Sequence, residues 1–314
     1  MKTQRLTSSR RDIAHAADLL RGGKLVAFPT ETVYGLGADV TNDQAVSRIY
    51  SVKNRPSFNP LIVHVYVKNA AVDFVEFNPA AELLADRFWP GPLTLLLPQK
   101  KSAHISQRVA SQSSTVGIRV PSHPVAQSLL QAFGGAVAAP SANLSGCLSP
   151  TTVEHVLSGL SNRIDAVVDG GPCRVGIEST IIGFKDNRAI IVRHGGIALD
   201  TLEAALNADL TANEKLPASI APGQLPRHYA PDCPLRINAR ERRSGEVYLG
   251  FGSQDGDRNL SPNGNLTEAS SHLFAELHAL NSLGKPIAVA PIPNQGLGIA
   301  INDRLKRASA PKTE

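Results

Sequence analysis

The sequence predicts a mixed α/β protein, in which a larger domain with a twisted mixed sheet flanked by helices precedes a smaller parallel α/β domain. Three observations lead to this fold class. Short apolar runs alternate with segments of helical periodicity through residues 1–207, as in folds that pack helices on a sheet. A proline-rich segment follows at residues 208–233, and residues 234–314 return to alternating strand and helix patterns.

Each element of the larger domain follows from its own pattern. An apolar stripe from Ile13 to Leu20 predicts a first helix near residues 11–21, and Gly22 ends it. The run KLVAF then predicts a buried strand that stops at Pro29. The same criteria predict helices near residues 43–52, 79–88, 123–133 and 200–207. They predict strands near residues 61–67, 93–97, 116–120, 136–139, 166–168, 180–184 and 189–192.

The smaller domain is predicted from the same kinds of signal. LRI, EVYLGF and PIAVA are strand-like, residues 265–281 have leucines at helical spacing, and GIAINDRLKRAS closes the chain as another helix. Three strands with intervening helices favour a small parallel sheet. The segment 208–233 is interpreted as a long linker, which could be either disordered or functional. Its motif PRHYAP is rich in groups that bind ligands, which favours a functional linker.

Composition and charge narrow the class of protein. Hydrophobic residues make up 42% of the 314 residues and charged residues 19%, so a packed core is expected. The net charge of +5 suits a polyanionic partner such as RNA or a nucleotide, although many enzymes have a similar charge. The three cysteines form no C-x-x-C pair, which disfavours a zinc ribbon and a disulfide framework. No signal sequence or membrane-spanning run is present, so a cytoplasmic protein without membrane contact is expected.

Polar clusters at the predicted strand ends are the candidate site, because ligands of α/β sheets bind there. They are FPTETVYGLGADV at residues 28–40, SVKNRPSFNPLIVHV at residues 51–65, STVGIRV at residues 114–120, AAPSANLSG at residues 138–146 and GIESTII at residues 176–182. Each also has a plain structural interpretation as a hydrogen-bonded turn or loop. Neither a G-x-G-x-x-G nor a Walker A motif occurs, so the usual nucleotide-binding loops are absent.

In two of these clusters, a structural role alone poorly explains the position of the cations. Lys53 and Arg55 follow a predicted helix and precede Pro56, so they are expected on a fixed, exposed helix exit. Cations that favour the helix dipole are the structural alternative. Arg119 lies inside an apolar strand, and a buried guanidinium needs an anion or a pocket. An ion pair with an internal carboxylate is the alternative, and the scarcity of acidic residues in this half of the chain weakens it.

The residue types restrict the chemistry. His64 interrupts the apolar run LIVHV, where a histidine is more often a satisfied core residue than a ligand. No cysteine or serine has an evident paired base, and no His-x-x-x-His pattern is present. Lysine, arginine, threonine, serine and asparagine suit the binding and neutralisation of phosphates better than covalent catalysis.

Taken in order, the motifs resemble the two-domain form of the threonylcarbamoyl-AMP synthase family. They are PTETVYGLG, K-x-R with NPL-x-x-H, GIRVP, PSANLSG, IESTI, VRHG and PGQLPRHYAP, and the resemblance extends from about residue 10 to residue 310. It implies a YrdC-like catalytic domain at 1–207, a linker at 208–233 that closes over the active site, and a small Rossmann-like domain at 234–314. It further implies that L-threonine, bicarbonate and ATP react to give threonylcarbamoyl-AMP and pyrophosphate, for modification of tRNA next to the anticodon.

The resemblance also implies roles for individual residues. The positions that match the threonine and bicarbonate site are Thr32, His64, Arg119, Ser141 and Ser179. Those that match the ATP site are Arg55, Asn59, Thr115, Asn143, Thr151, Arg193 and Tyr229. Lys53 and Arg55 are the implied catalytic cations. Mg²⁺ would accompany ATP without a protein side chain as ligand, and a threonylcarbamoyl transferase complex would take the product.

Two other functions are compatible with parts of the sequence. An RNA-binding module would grip tRNA or ribosomal RNA through its basic surface, but the chain has only 5% aromatic residues and no dense basic run. A weak tRNA contact beside the enzyme activity stays open. Carbamoyl-adenylate chemistry in metalloenzyme maturation uses the same domain type, and its expected zinc-finger cysteines are missing.

Overall fold

The computed structural model describes residues 2–111, 113–186, 188–212, 221–223 and 225–311. Within these residues it confirms the predicted architecture: a mixed sheet of eleven strands, a separate parallel sheet of four strands, and helices packed against both. In the same residues, no helix combines the length and the apolar composition needed to cross a membrane.

The strands of the large sheet are short, and their bounds agree with most of the predicted runs. They are β1 (Gln4–Leu6), β2 (Val26–Phe28), β3 (Gly35–Asp39), β4 (Ile62–His64), β5 (Leu93–Pro98), β6 (Thr115–Arg119), β7 (Val137–Ala138), β8 (Ala166–Val168), β9 (Thr180–Lys185), β10 (Arg188–Arg193) and β11 (Thr211–Ala212). Their order across the sheet is β1-β8-β2-β3-β7-β4-β6-β5-β9-β10-β11.

The helices of this domain include all five that the periodicity predicts. They are α1 (Arg10–Arg21), α2 (Asp43–Lys53), α3 (Lys68–Ala71), α4 (Pro79–Phe88), α5 (Gln107–Ala110), α6 (Pro124–Phe133), α7 (Val153–Leu160) and α8 (Leu199–Leu206). Helix α2 shows how the local sequence determines where a helix begins and ends. Asn42 caps its first turn by accepting a hydrogen bond from Ala45, and Asn54 ends it in the left-handed region at φ 52°.

The smaller domain contains β12 (Leu235–Arg236), β13 (Val247–Gly250), β14 (Arg258–Asn259), α9 (Leu266–Asn281), β15 (Ile287–Val289) and α10 (Leu297–Ala308). Its apolar core extends across the boundary with the larger domain. Val33, Leu148 and Ile177 pack in the same buried cluster as the leucines of α9. The two domains therefore share a hydrophobic contact as well as a covalent connection.

Strands β4 and β6 position two buried polar side chains, His64 and Arg119. Side chains alternate between the faces of a strand, so Leu61, Val63 and Val65 enter the main core while His64 points the other way. Strand β6 pairs with β4 in parallel register and places Arg119 beside His64. This pairing joins two sequence motifs that lie 55 residues apart, the difference between positions 119 and 64.

Described residues of the predicted linker 208–233 contact the larger domain. Thr211 and Ala212 form β11, which pairs with β10 and lies at the edge of the large sheet. Residues 213–220 and 224 of the predicted linker lie outside the described residues. Farther on, Ala230 forms a bridge with Cys147, and Tyr229, at φ 59°, is buried.

Gly195 is a position where the fold needs the absence of a side chain. A Cβ there would lie 2.3 Å from the carbonyl oxygen of Glu178 and 2.4 Å from the backbone of Ser179 and Thr180. We expect Gly195→Ala to lower the free energy of unfolding by about 3 kcal/mol, because a backbone contact cannot relax by a rotamer change. Urea denaturation followed by circular dichroism measures the effect.

Gly159 offers the matched control for this substitution. It lies within α7, and a Cβ there would meet nothing within 4 Å. Gly159→Ala should stabilise the protein by about 0.5–1 kcal/mol. Equal effects of the two substitutions would contradict the close approach at Gly195.

Candidate active site

A cavity of about 50 Å³ collects most of the polar clusters found in the sequence. Its lining comes from the segment after β2, the ends of β4, β6 and β10, the segment after β7 and the residue before β9. Eight of the predicted site residues line it: Thr32, Arg55, His64, Arg119, Ser141, Ser179, Arg193 and Tyr229. All five positions that the sequence associates with threonine and bicarbonate therefore share one cavity.

Arg119 is held by three neighbours. Its Nε donates to the carbonyl of Gly91 at 3.2 Å, one terminal nitrogen donates to Thr32 Oγ1 at 2.9 Å, and the other pairs with Glu31 at 2.6 Å. Glu31 is fully buried and also accepts from the backbone N–H of Ser122. The arginine offsets the burial of this carboxylate and lowers its pKa. Both interpretations of Arg119 hold: it pairs with an internal carboxylate, the alternative that the scarcity of acidic residues weakened, and it lines the cavity. Glu31 is distant in sequence and adjacent in space.

Lys53 and Arg55 are buried, with 1% and 8% of their surface exposed, so the predicted exposed helix exit is wrong. The Lys53 ammonium donates to the carbonyls of Ser141 and Asn143. Arg55 donates to the backbone and side chain of Asn59 and to the carbonyl of Pro60. A turn in which the Asn59 N–H donates to the Pro56 carbonyl brings the Asn59 and Pro60 carbonyls to Arg55.

Three buried cations, Lys53, Arg55 and Arg193, lie on this side of the cavity. Burial lowers the pKa of Arg55 to about 10, and burial together with the charge of Arg55 lowers the pKa of Lys53 well below its usual value. Arg193 is buried beside them and donates to the carbonyls of Ser179 and Pro222. Neutral carbonyls satisfy these hydrogen bonds without cancelling the charge, so a bound anion would relieve the repulsion among the cations.

Residues of the predicted linker fill part of this space. Pro222, Gly223, His228 and Tyr229 all line the cavity. His228 is buried, its Nδ1 has no hydrogen-bond partner among the described residues, and its pKa is lowered by burial and by the surrounding cations. A cavity of about 50 Å³ holds about one or two waters. This volume is too small for a nucleotide, because ligand pockets usually measure about 300–1,000 Å³.

Four other predicted site residues do not line the cavity: Asn59, Thr115, Asn143 and Thr151. Asn59 holds Arg55, and Asn143 supplies a carbonyl to Lys53. Thr115 bonds Ser113, and Thr151 lies within 3.3 Å of His155. Asn143 Oδ1 and Asn59 Nδ2 are buried without a hydrogen-bond partner among the described atoms, so two of these four side chains have an unused polar atom.

Sequence reasoning missed several residues that shape the site. Thr94 bonds Ser179 at 2.7 Å, and Glu178 is held by Ser149 at 2.5 Å and by Arg304 at 3.0 Å. Arg304 comes from α10 of the smaller domain and is fully buried. The flagged motifs contain Glu178, but nothing in the sequence signals that a helix more than 100 residues later supplies its partner.

Comparisons with known proteins identify the family of this chain. A family model described as "Telomere recombination" matches residues 18–195, and one described as "Threonylcarbamoyl-AMP synthase, C-terminal domain" matches residues 197–310. A threonylcarbamoyl-AMP synthase of Bacillus subtilis is 39% identical, covering 98% of this chain and 95% of the relative. This chain belongs to the threonylcarbamoyl-AMP synthase family. The family relative from Pyrococcus abyssi is 36% identical, covering 94% of this chain and 93% of the relative.

Solved structures extend the family comparison to the fold. Pyrococcus abyssi Sua5, solved in complex with L-threonine, superposes with a TM-score of 0.89 at 33% identity and covers 98% of each chain. Escherichia coli YciO, at 24% identity and a TM-score of 0.55, shares the fold over 62% of this chain and 96% of its own. This chain therefore has the two-domain arrangement of threonylcarbamoyl-AMP synthases. The fold of part of the chain also occurs in YciO.

His64 provides a test of the buried site that does not depend on substrate. Burial and the nearby Arg119 lower its pKa to about 3, whereas an unfolded chain takes up the proton near pH 6.5. Stability is therefore lost as the pH falls below 6.5, by about 2 kcal/mol from this group at pH 5. We expect His64→Gln to reduce the loss of unfolding free energy between pH 7 and pH 5 by that amount, measured by urea denaturation.

The exposed His104 is the control for this measurement. His104→Gln removes an imidazole outside the cavity, so the unfolding free energy of this variant should depend on pH as it does in wild type. If His64→Gln also keeps the wild-type dependence, His64 is not buried and uncharged as described.

Proposed function

We propose that this chain is an L-threonylcarbamoyladenylate synthase, a nucleotidyltransferase that forms threonylcarbamoyl-AMP and pyrophosphate from L-threonine, bicarbonate and ATP. The convergence of Thr32, His64, Arg119, Ser141 and Ser179 on one cavity, next to buried cations, carries this proposal. The likeness to a relative solved with L-threonine supports it. In the proposed reaction, the carboxylate of N-carboxythreonine attacks the α-phosphorus of ATP. A P–O bond to that carboxylate forms, and the bond to the pyrophosphate leaving group breaks.

The amino-acid side of the cavity is proposed to bind threonine and bicarbonate. Three of the five guanidinium N–H groups of Arg119 are used by described residues, and one N–H remains on each terminal nitrogen. Two parallel N–H groups suit a carboxylate, so Arg119 is the proposed clamp for the α-carboxylate. Thr32, His64, Ser141 and Ser179 surround the rest of the amino acid in this proposal.

The cationic side is proposed to bind ATP. The proposed ATP residues are Arg55, Asn59, Thr115, Asn143, Thr151, Arg193 and Tyr229. Two anions must approach within reacting distance, and at about 4 Å their repulsion is about 4 kcal/mol at an effective dielectric constant of 20. Arg55 and Arg193 offset this repulsion. Lys53, the second proposed catalytic cation, acts by fixing the Ser141 and Asn143 carbonyls from behind.

Mg²⁺ is proposed to arrive with the triphosphate of ATP. Among the described lining residues Glu178 has the one carboxylate, and Ser149 and Arg304 already hold it. No group of three or more histidine, cysteine, aspartate or glutamate side chains within the described residues could hold a metal ion. Phosphate oxygens and water are therefore the proposed ligands of the ion.

The domain roles are part of the same proposal. Residues 1–207 form the catalytic domain, residues 208–233 a linker in which Tyr229 closes over the nucleotide, and residues 234–314 the small C-terminal domain. The enzyme is proposed to work in the cytoplasm and to deliver its product to a threonylcarbamoyl transferase complex that modifies tRNA.

Pyrophosphate release tests the reaction directly. We expect purified protein to release pyrophosphate from ATP and Mg²⁺ only when L-threonine and bicarbonate are both present, because the attacking carboxylate forms from these two compounds. Carbamoyl phosphate in place of threonine and bicarbonate should give no pyrophosphate. Release that ignores threonine would refute the proposed function.

The buried cations can be tested by substitution. Arg55→Ala should lower the rate of threonylcarbamoyl-AMP formation by about 100-fold, because a charge that stabilises the reacting phosphate is lost. Lys53→Ala should also lower the free energy of unfolding by about 2 kcal/mol, because two buried carbonyls lose their donor. Steady-state kinetics and urea denaturation measure the two effects.

Arg87→Ala serves as the control, because Arg87 is an exposed cation on α4. It should retain wild-type activity and stability. Full activity of Arg55→Ala would show that Arg55 is not part of the ATP site. Wild-type stability of Lys53→Ala would contradict the buried contacts of Lys53.

A further inference from the structure

Thr30 is a buried residue on the cavity that belongs to the PTETVYGLG motif and has no role in the proposed function. It lies two residues before Thr32, and the two side chains have 2% and 0% of their surface exposed. Their hydroxyl oxygens are 2.8 Å apart. Both line the cavity, so the direction of the hydrogen bond between them decides what Thr32 presents to a ligand.

The neighbouring groups fix that direction. Thr30 Oγ1 lies 2.7 Å from the carbonyl oxygen of Val33, and a carbonyl only accepts. The single hydroxyl proton of Thr30 is therefore directed to Val33. Thr30 Oγ1 then acts as an acceptor. It accepts from the backbone N–H groups of Thr32 at 3.2 Å and Val33 at 3.3 Å and, at the shorter distance of 2.8 Å, from the Thr32 hydroxyl, which is therefore the donor of the pair. The opposite arrangement would leave the oxygens of Thr30 and Val33 facing each other without a proton between them.

The Thr32 oxygen is thereby left with a defined polarity. One of its lone pairs accepts from Arg119 at 2.9 Å, and its proton is directed to Thr30. One lone pair remains. Arg119 cannot reverse this arrangement, because a guanidinium has no acceptor and Glu31 holds its other terminal nitrogen at 2.6 Å.

We propose that Thr30 is a positioning residue that fixes the hydroxyl of Thr32 as a hydrogen-bond acceptor for a donor group of the substrate amino acid. The donor is the nitrogen or the hydroxyl of L-threonine, and the nitrogen keeps one N–H after it is carboxylated. Arg119 supplies donors to the carboxylate and Thr32 supplies an acceptor, so the subsite distinguishes the two ends of an amino acid. This inference rests on the proposed function and assigns part of its specificity to a residue behind the site.

Thr30→Val tests the proposal, because valine has a similar shape without the hydroxyl. The Thr32 proton then has no fixed acceptor and can rotate toward the ligand. We expect the KM for L-threonine to rise about 10-fold, as for the loss of one buried hydrogen bond, while the KM for ATP stays at the wild-type value. Thr30→Ser, which keeps the hydroxyl, should restore the wild-type KM for threonine, and Thr41→Val controls for the same exchange at an exposed position.

A double substitution separates positioning from general disturbance. In a Thr32→Val background there is no hydroxyl to orient, so adding Thr30→Val should have no further effect on the KM for threonine. If the effect of Thr30→Val persists in that background, or if both KM values rise together, Thr30 is structural only and the proposal is wrong. Should Thr30→Val fail to fold, Thr30→Ala removes the same hydroxyl, and a wild-type KM for threonine in that variant overturns the proposal.

The outcomes also separate this inference from the function on which it rests. Wild-type protein without threonine-dependent pyrophosphate release would overturn the proposed function and this inference with it. An active wild type with an unchanged KM for threonine in folded Thr30→Val would overturn the inference alone.

Discussion

The need of a buried cation for hydrogen-bond acceptors organises this structure. Lys53, Arg55, Arg119, Arg193 and Arg304 are all at least nine-tenths buried. An unpartnered buried charge would cost several kcal/mol, so each of them draws backbone carbonyls or carboxylates around it. Those acceptors come from the polar segments between strands, which is why these segments have one defined shape. The shape of the cavity wall therefore follows from the hydrogen bonds that these buried cations require.

The cations divide into two groups that have different consequences. Arg119 and Arg304 are paired with the carboxylates of Glu31 and Glu178, so their charges are largely balanced. Lys53, Arg55 and Arg193 are satisfied by carbonyls and by the Asn59 and Ser179 side chains, so their charges are not balanced. The unbalanced group lies on the side proposed for ATP, and the balanced Arg119 lies on the side proposed for a single carboxylate. The division of charge thus matches the greater negative charge of a triphosphate.

The sequence predicted the core better than the site. Continuous apolar runs such as LIVHV identified the buried strands, because burial on both faces leaves an unmistakable pattern. Strand β3 was not predicted, since Gly35 and Gly37 have no side chain to show a period; a Cβ at Gly37 would lie within 3 Å of Val137 and Phe28. Burial of Lys53 and Arg55 was not predictable either, because a local pattern cannot show that distant carbonyls will receive the charge. The site residues that were located owe their assignment to the order of the motifs. Thr30 and Glu31 lie in one of those motifs but received no role, and Glu31 could not be paired with Arg119 from the sequence because that contact is tertiary.

The second domain is joined to the cavity through charge as well as through apolar packing. Arg304 on α10 contacts Glu178, donates to the carbonyl of His194 and lies 5.3 Å from the centre of the Tyr229 ring. Burial opposes its charge, yet Tyr229 and the neighbouring carboxylates raise its pKa above the usual value. Moving α10 away would leave Glu178 as a buried carboxylate without its guanidinium, at the wall of the cavity. The orientation of that wall therefore depends on a domain that contributes no residue to the cavity lining among the described residues.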